Sequence, residues 1–103
     1  SQDIEVMICW MHQKSLQLNG KYLLRHTSNA VRCIVKDIRY KVDINTLHRD
    51  QETTLIQLND IGRILIRTTQ PLLYDSYAKN KNTGSLLLID EYTHETLAAG
   101  MIL

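Results

Sequence analysis

Proline occurs once and glycine four times in 103 residues, and the chain contains no internal repeat and no low-complexity tract. No apolar run approaches the ~18 to 20 residues of a membrane span, which excludes a membrane-spanning helix. The opening Ser1-Gln2-Asp3 lacks the basic then apolar layout of a signal peptide, so the chain reads as cytoplasmic. Two cysteines, Cys9 and Cys33, are too few for a disulfide framework and too far apart for a zinc knuckle. Both are expected to be reduced core residues. Charge of one sign is also missing: twelve Lys+Arg stand against eleven Asp+Glu, for a net charge of +1. The broad positive field of a dedicated nucleic-acid or membrane-surface binder is therefore absent. What remains is a chain with 44% hydrophobic and 22% charged residues, ordinary for a globular protein. Its length leaves little room for a second core, so a complete multidomain enzyme is not expected.

Short runs of Val, Ile, Leu and Thr alternating with polar residues indicate strands. Ile4, Val6, Ile8 and Trp10 share one parity and, in an extended chain, one face. Trp10 is therefore expected inside the fold. Met7 and Cys9 make the other face partly apolar, which predicts a strand covered on both sides. Asn19-Gly20 is a turn signal, with a strand from about Tyr22. Across residues 30–44 the apolar parity switches: Val31, Cys33 and Val35 are odd, whereas Ile38, Tyr40, Val42 and Ile44 are even. One face cannot hold both sets without an inserted residue, so a bulge is predicted near Lys36-Asp37. Residues 45–52 read as a connection, residues 55–58 as a short apolar segment, and Asn59-Asp60 as a turn. A strand over residues 61–69 ends before Pro71. Residues 74–85 form the longest expected loop, a length that often carries function. Residues 86–89 read as a strand buried on both faces. After a turn at residues 90–94, the small residues at 98–100 predict close approach of another backbone, or a bulge at Gly100. About six main strands and few helix signals imply an antiparallel barrel or sandwich.

The chemistry-bearing residues form no strong motif. His12, His26, His48 and His94 show no H-x-x-x-H spacing, and the cysteines no C-x-x-C. Asp90 and Glu91 are adjacent, so in a strand they would point apart, and a solvated turn fits them better than an acid/base pair. The segment around Gly84 lacks the first Gly and the Lys of a Walker A loop. Between residues 21 and 49 seven basic residues (Lys21, Arg25, Arg32, Lys36, Arg39, Lys41, Arg49) face two acidic ones (Asp37, Asp43). That stripe is either a solvated sheet face or a surface for an acidic partner.

Three sets of residues carry a family resemblance. Glu5-Val6-Met7-Ile8-Cys9-Trp10-Met11, then Lys21-Tyr22-Leu23-Leu24-Arg25-His26, resembles the start of the third domain of the sulfate adenylyltransferase large subunit. Val42-Asp43-Ile44-Asn45-Thr46-Leu47 and Leu58-Asn59-Asp60-Ile61-Gly62-Arg63 resemble its middle. Pro71-Leu72, Asp75, Tyr77, Asn80-Lys81-Asn82-Thr83-Gly84-Ser85, Leu88-Ile89-Asp90 and Thr96-Leu97-Ala98-Ala99-Gly100-Met101-Ile102 are similar to its end. The match runs through the whole chain in order. Lys81 stands where Arg is common, and Leu86-Leu87 where a Phe-Ile pair is usual.

That subunit belongs to the translation-factor class of GTPases. The resemblance therefore implies an all-β fold, a six-stranded antiparallel β-barrel like the third domain of elongation factor Tu. Residues 1–103 would be one barrel domain of a larger subunit whose G domain and second barrel lie upstream. The parent would make adenylyl sulfate and pyrophosphate from ATP and sulfate, with a small nucleotidyl-transferring subunit doing that chemistry and GTP hydrolysis driving it. In many bacteria it is fused to adenylylsulfate kinase. GTP, ATP and Mg²⁺ are implied for the parent; no catalytic, cofactor or metal residue is expected in this domain. The expected role is docking to the upstream domains and the small subunit, with Tyr74, Tyr77, Lys79, Asn80 and Lys81 as candidate docking residues. The alternative is an RNA-contacting barrel of a translation-factor-type GTPase, although Thr93-His94-Glu95-Thr96 lacks the basic Gly-Gly-Arg type of turn those factors carry.

Overall fold

Period-two alternation places four branched or aromatic residues on one side of the first strand, and in the computed structural model they form one wall of the interior. The structure describes residues 2–27, 29–42, 49–50, 55–70 and 84–103. Among them are nine strands and no helix: β1 Gln2–Trp10, β2 Leu16–Gln17, β3 Lys21–His26, β4 Asn29–Val42, β5 Arg49–Asp50, β6 Leu55–Ile56, β7 Ile61–Thr68, β8 Ser85–Ile89 and β9 Thr96–Ile102. Six of these pair antiparallel in the order β3, β8, β9, β1, β7, β4, and β4 pairs back to β3. The ring closes, so no main strand is left with a free edge. The expected six-stranded antiparallel barrel is what forms. The short β5 extends the far end of β4, and β2 pairs with β6.

The interior is filled by Ile4, Val6, Ile8, Trp10, Leu24, Val35, Ile64, Ile66, Leu88 and Ile102, all essentially inaccessible to solvent. Leu16 and Ile56, from the β2–β6 pair, join the same cluster. Trp10 lies inside, as its parity implied. Its indole N–H donates to the Lys14 carbonyl at 2.8 Å, and its ring meets Tyr22 edge-on with centroids 5.9 Å apart. Cys33 is buried, and burial pushes its thiol pKa up to about 12.

The long strand β4 bends as its parity switch required, with Lys36 the extra residue between Val35 and Asp37. A second bulge follows, and Arg39 is the extra residue between Ile38 and Tyr40. That second insertion corrects the reading of Tyr40. It pairs directly opposite Arg63, on the outer side of β4, where it is buried yet stands apart from the apolar cluster that holds Ile38.

Other expectations also change. Asn19 takes the positive φ of the turn (65°), whereas Gly20 does not. Gly20 is needed for space, because a methyl there would sit 2.9 Å from the Gln17 carbonyl oxygen. The bulge on β9 falls at Leu97, not at Gly100. Gly100 instead lets side chains approach: a methyl would come within 2.9 Å of Leu86 Cδ1 and 3.2 Å of Ile8 Cγ2. β8 is not buried on both faces, since Leu86 and Leu88 point inward while Leu87 and Ile89 are only half-buried. Cys9 is exposed rather than core, and among the described residues nothing fully covers the outer side of β1, where Glu5 and Met7 are half-buried. An apolar residue on a strand fits an inner wall and an uncovered outer wall equally well by pattern, which is why these readings failed.

Candidate functional site

Outward positions of β1 alternate with the core positions, giving the series Asp3, Glu5, Met7, Cys9. The first pair looks across β7 toward β4, and the second pair lies beside β9, whose pairing with β1 begins at Val6. Two different surfaces result.

The first is a lattice of charge. Asp3 sits directly opposite Arg67 and accepts from its Nε at 2.7 Å and its Nη2 at 3.2 Å. Glu5 takes two arginines at once: Arg39 Nε donates to Oε1 at 2.6 Å, and Arg63 donates to Oε2 from Nε at 3.0 Å and from Nη2. Arg39 also reaches Asp37 at 2.6 Å. As the bulged residue of β4, Arg39 is swung out of the ladder, which re-aims its guanidinium across β7 toward β1. Arg39 and then Arg63 hold the Glu5 carboxyl below the ordinary Glu range. The hydrogen bond from Arg67 does the same for Asp3. Elsewhere Arg32 pairs with Glu91 at 3.1 Å and Lys41 with Asp60 at 3.6 Å. Three of the seven stripe residues, Arg32, Arg39 and Lys41, are thus matched within the chain by carboxylates distant in sequence.

The second surface is apolar. Met7 and Cys9 from β1, Leu87 from β8, and Ala99 and Met101 from β9 line a shallow groove of about 520 Å³, with Arg25 and Thr27 at its β3 side. Met7 faces Met101 and Cys9 faces Ala99 across the ladder. Among arginines whose side chains are described, Arg25 alone has no carboxylate partner.

Among the described residues, those singled out for chemistry are not brought together. Asp90 closes its turn, its carboxylate accepting from the Tyr92 amide at 2.8 Å and the Thr93 amide at 3.0 Å. Those amides, Thr93 first, hold its pKa below the ordinary Asp value. Glu91 turns away to Arg32. His12 accepts from the Lys14 amide at 3.0 Å and lies 3.4 Å from Glu95, whereas His26 is buried at the end of β3 and His94 is exposed in the last turn. Among the described residues no three His, Cys, Asp or Glu side chains gather as a metal-binding group. Among them also, no helix is long and apolar enough to cross a membrane. Tyr74, Tyr77, Lys79, Asn80, Lys81 and His48 lie outside the described residues. The groove escaped sequence reading, and its one available signal was the soft pair Met7 and Cys9 following the acidic pair on the same outward series.

Comparison with known proteins adds four findings. Residues 3–103 match the family described as GTP-eEF1A C-terminal domain-like. A bifunctional enzyme CysN/CysC of Mycobacterium tuberculosis is 42% identical across the whole chain, which spans 17% of that protein's length. A sulfate adenylyltransferase subunit 1 of Bacteroides fragilis is 36% identical over 99% of the chain, which spans 21% of its length. Among solved structures, sup35 complexed with GDP superposes on 98% of the chain, 24% of its own length, with a TM-score of 0.86 and 14% identity. At that identity the likeness is one of fold.

Proposed function

The chain belongs to the GTP-eEF1A C-terminal domain-like family, and on that premise we propose that it is the noncatalytic C-terminal barrel of the GTP-hydrolysing large subunit of a sulfate adenylyltransferase. The observation that carries this reading is the end-to-end match, at 42% and 36% identity, to proteins of which the chain is a fifth or less, or little more. In this reading a G domain and a second barrel precede the domain in the parent. ATP and sulfate give adenylyl sulfate and pyrophosphate on a separate small subunit in the cytoplasm, and Mg²⁺-dependent GTP hydrolysis on the G domain drives the step. The barrel contributes a rigid body through which the G domain and the small subunit hold a fixed relation.

Its chemistry suits that role. Five of its cations, Arg32, Arg39, Lys41, Arg63 and Arg67, are engaged by carboxylates of the same chain, which stiffens the wall and leaves them poorly placed to bind phosphate. The RNA-contacting alternative loses these five cations as phosphate contacts. We also assign docking to Tyr74, Tyr77, Lys79, Asn80 and Lys81, because aromatic rings give contact area at low entropic cost and lysines complement acidic surface.

The test is reconstitution. The full-length parent, mixed with the small subunit, is expected to release pyrophosphate from ATP only with sulfate, and faster with GTP. Replacing Tyr77 and Lys81 together should weaken assembly without lowering the melting temperature of the large subunit. Absence of sulfate-dependent pyrophosphate release would overturn the reading.

A further inference from the structure

A barrel wall that serves only solvent carries polar residues on its outer positions. The wall formed by β8, β9 and the second half of β1 does not. Its outward residues are Met7, Cys9, Leu87, Ala99 and Met101, with Ser85 the one polar side chain among them, and Met101 is 39% exposed. The neighbouring wall shows what this sequence does with a solvated face: Asp3, Glu5, Arg39, Arg63 and Arg67 cover it with matched charge. The apolar wall is bordered by Arg25, unpaired among the described residues while every other arginine with a described side chain has a carboxylate. Exposed apolar area rimmed by an unmatched charge is the signature of an interface.

The small extent of the groove favours a tethered partner. A stable interface between independent proteins takes about 20–30 residues a side. This groove offers about a dozen lining residues. A tethered domain needs far less area, because linkage sets its effective concentration near the millimolar range. The two relatives described above carry this sequence as 17% and 21% of their length, which supplies ample tethered polypeptide.

We propose that the Met7–Cys9–Leu87–Met101 groove is covered in the parent protein by another domain of the same polypeptide, through an apolar surface bearing a carboxylate that pairs with Arg25. The inference rests on the reading above that this barrel is one domain of a longer chain. Cys9, exposed within the groove, is the natural reporter, and buried Cys33 is the control in the same barrel.

The experiment is peptide-resolved maleimide labelling of the full-length parent, native and in urea. The native chain is expected to label Cys9 about tenfold or more slowly than the unfolded chain. Arg25→Glu should raise the native Cys9 rate several-fold while Cys33 stays unlabelled, which shows that the barrel is still folded. If Cys33 becomes reactive in that variant, Arg25→Gln supplies the same readout with a milder change. Native labelling of Cys9 at close to the unfolded rate overturns the proposal, as does an Arg25 variant that keeps Cys33 protected and leaves Cys9 unchanged. Protection lost on dilution assigns the groove to a second copy, and protection gained only with the small subunit assigns it to that subunit; each overturns the same-chain assignment. Labelling needs no adenylyltransferase activity, so a protected Cys9 in a parent that makes no adenylyl sulfate would sink the functional reading and leave this one standing.

Discussion

Strand β1 carries two chemistries on one outward series. Asp3 and Glu5 are drawn into ion pairs with Arg67, Arg63 and Arg39, while Met7 and Cys9, a few ångströms further along the same strand, face Met101 and Ala99 on β9 and Arg63 and Ile61 on β7, with no ionic partner of their own. The backbone is equally regular in both halves, and the same core lies beneath them. The difference therefore lies in what each half is matched to. The charged wall is complementary to itself, and the apolar wall is complementary to nothing in this chain's described residues. A β-barrel can separate these tasks because alternation fixes the interior independently of what the exterior displays.

The largest effect is expected where the two walls share their floor. Trp10→Ala removes an indole that is fully buried at the end of β1, and should lower stability by roughly 3–5 kcal/mol. Urea unfolding of the 103-residue chain measures it, and a loss under 1 kcal/mol would mean that the walls do not depend on a common core. Next comes the charged wall. Glu5→Ala leaves Arg39 and Arg63 facing each other without their shared carboxylate. The groups are partly exposed, so the expected cost is roughly 1 kcal/mol, diminishing as salt is added.

Acid should erase that difference. Glu5 has its pKa lowered in the folded state, by the hydrogen bonds of Arg39 and then of Arg63. Its contribution is therefore complete above the ordinary Glu value of 4.5 and is lost as pH falls below it, through the depressed folded value. The stability gap between the native chain and Glu5→Gln should be constant from pH 6 to 7 and shrink below pH 4.5. A gap that widens in acid would mean that Glu5 is not ionised in the folded state. The smallest effect belongs to the apolar wall: Cys9→Ser in the 103-residue chain should change stability by no more than about 0.5 kcal/mol, since the side chain is exposed there.

The same comparison explains what could be read from sequence. The inner face was legible because Ile4, Val6, Ile8 and Trp10 obey strict parity, and the switch between Val35 and Ile38 forced a bulge at Lys36. The second bulge was not legible: Tyr40 continues the even parity of Ile38, and a tyrosine is as much at home outside, bonded to Arg63, as inside. The matched part of the basic stripe looked unmatched because its partners are remote, with Glu5 lying 34 residues from Arg39. Leu87, Met7 and Cys9 looked like core because an interface strand and a core strand have the same pattern until the ring's handedness says which face is out.

Hydroxyl-radical footprinting of the full-length parent reads both walls in one sample. Met7 and Met101 report the apolar wall, and Leu65, outward on β7 opposite Glu5 and Asp37, reports the charged one. Each is compared with its own oxidation rate in the 103-residue chain. The account predicts that Met7 and Met101 become several-fold less reactive in the parent while Leu65 is unchanged. Undiminished oxidation of both methionines, or protection of Leu65 in their place, would contradict it.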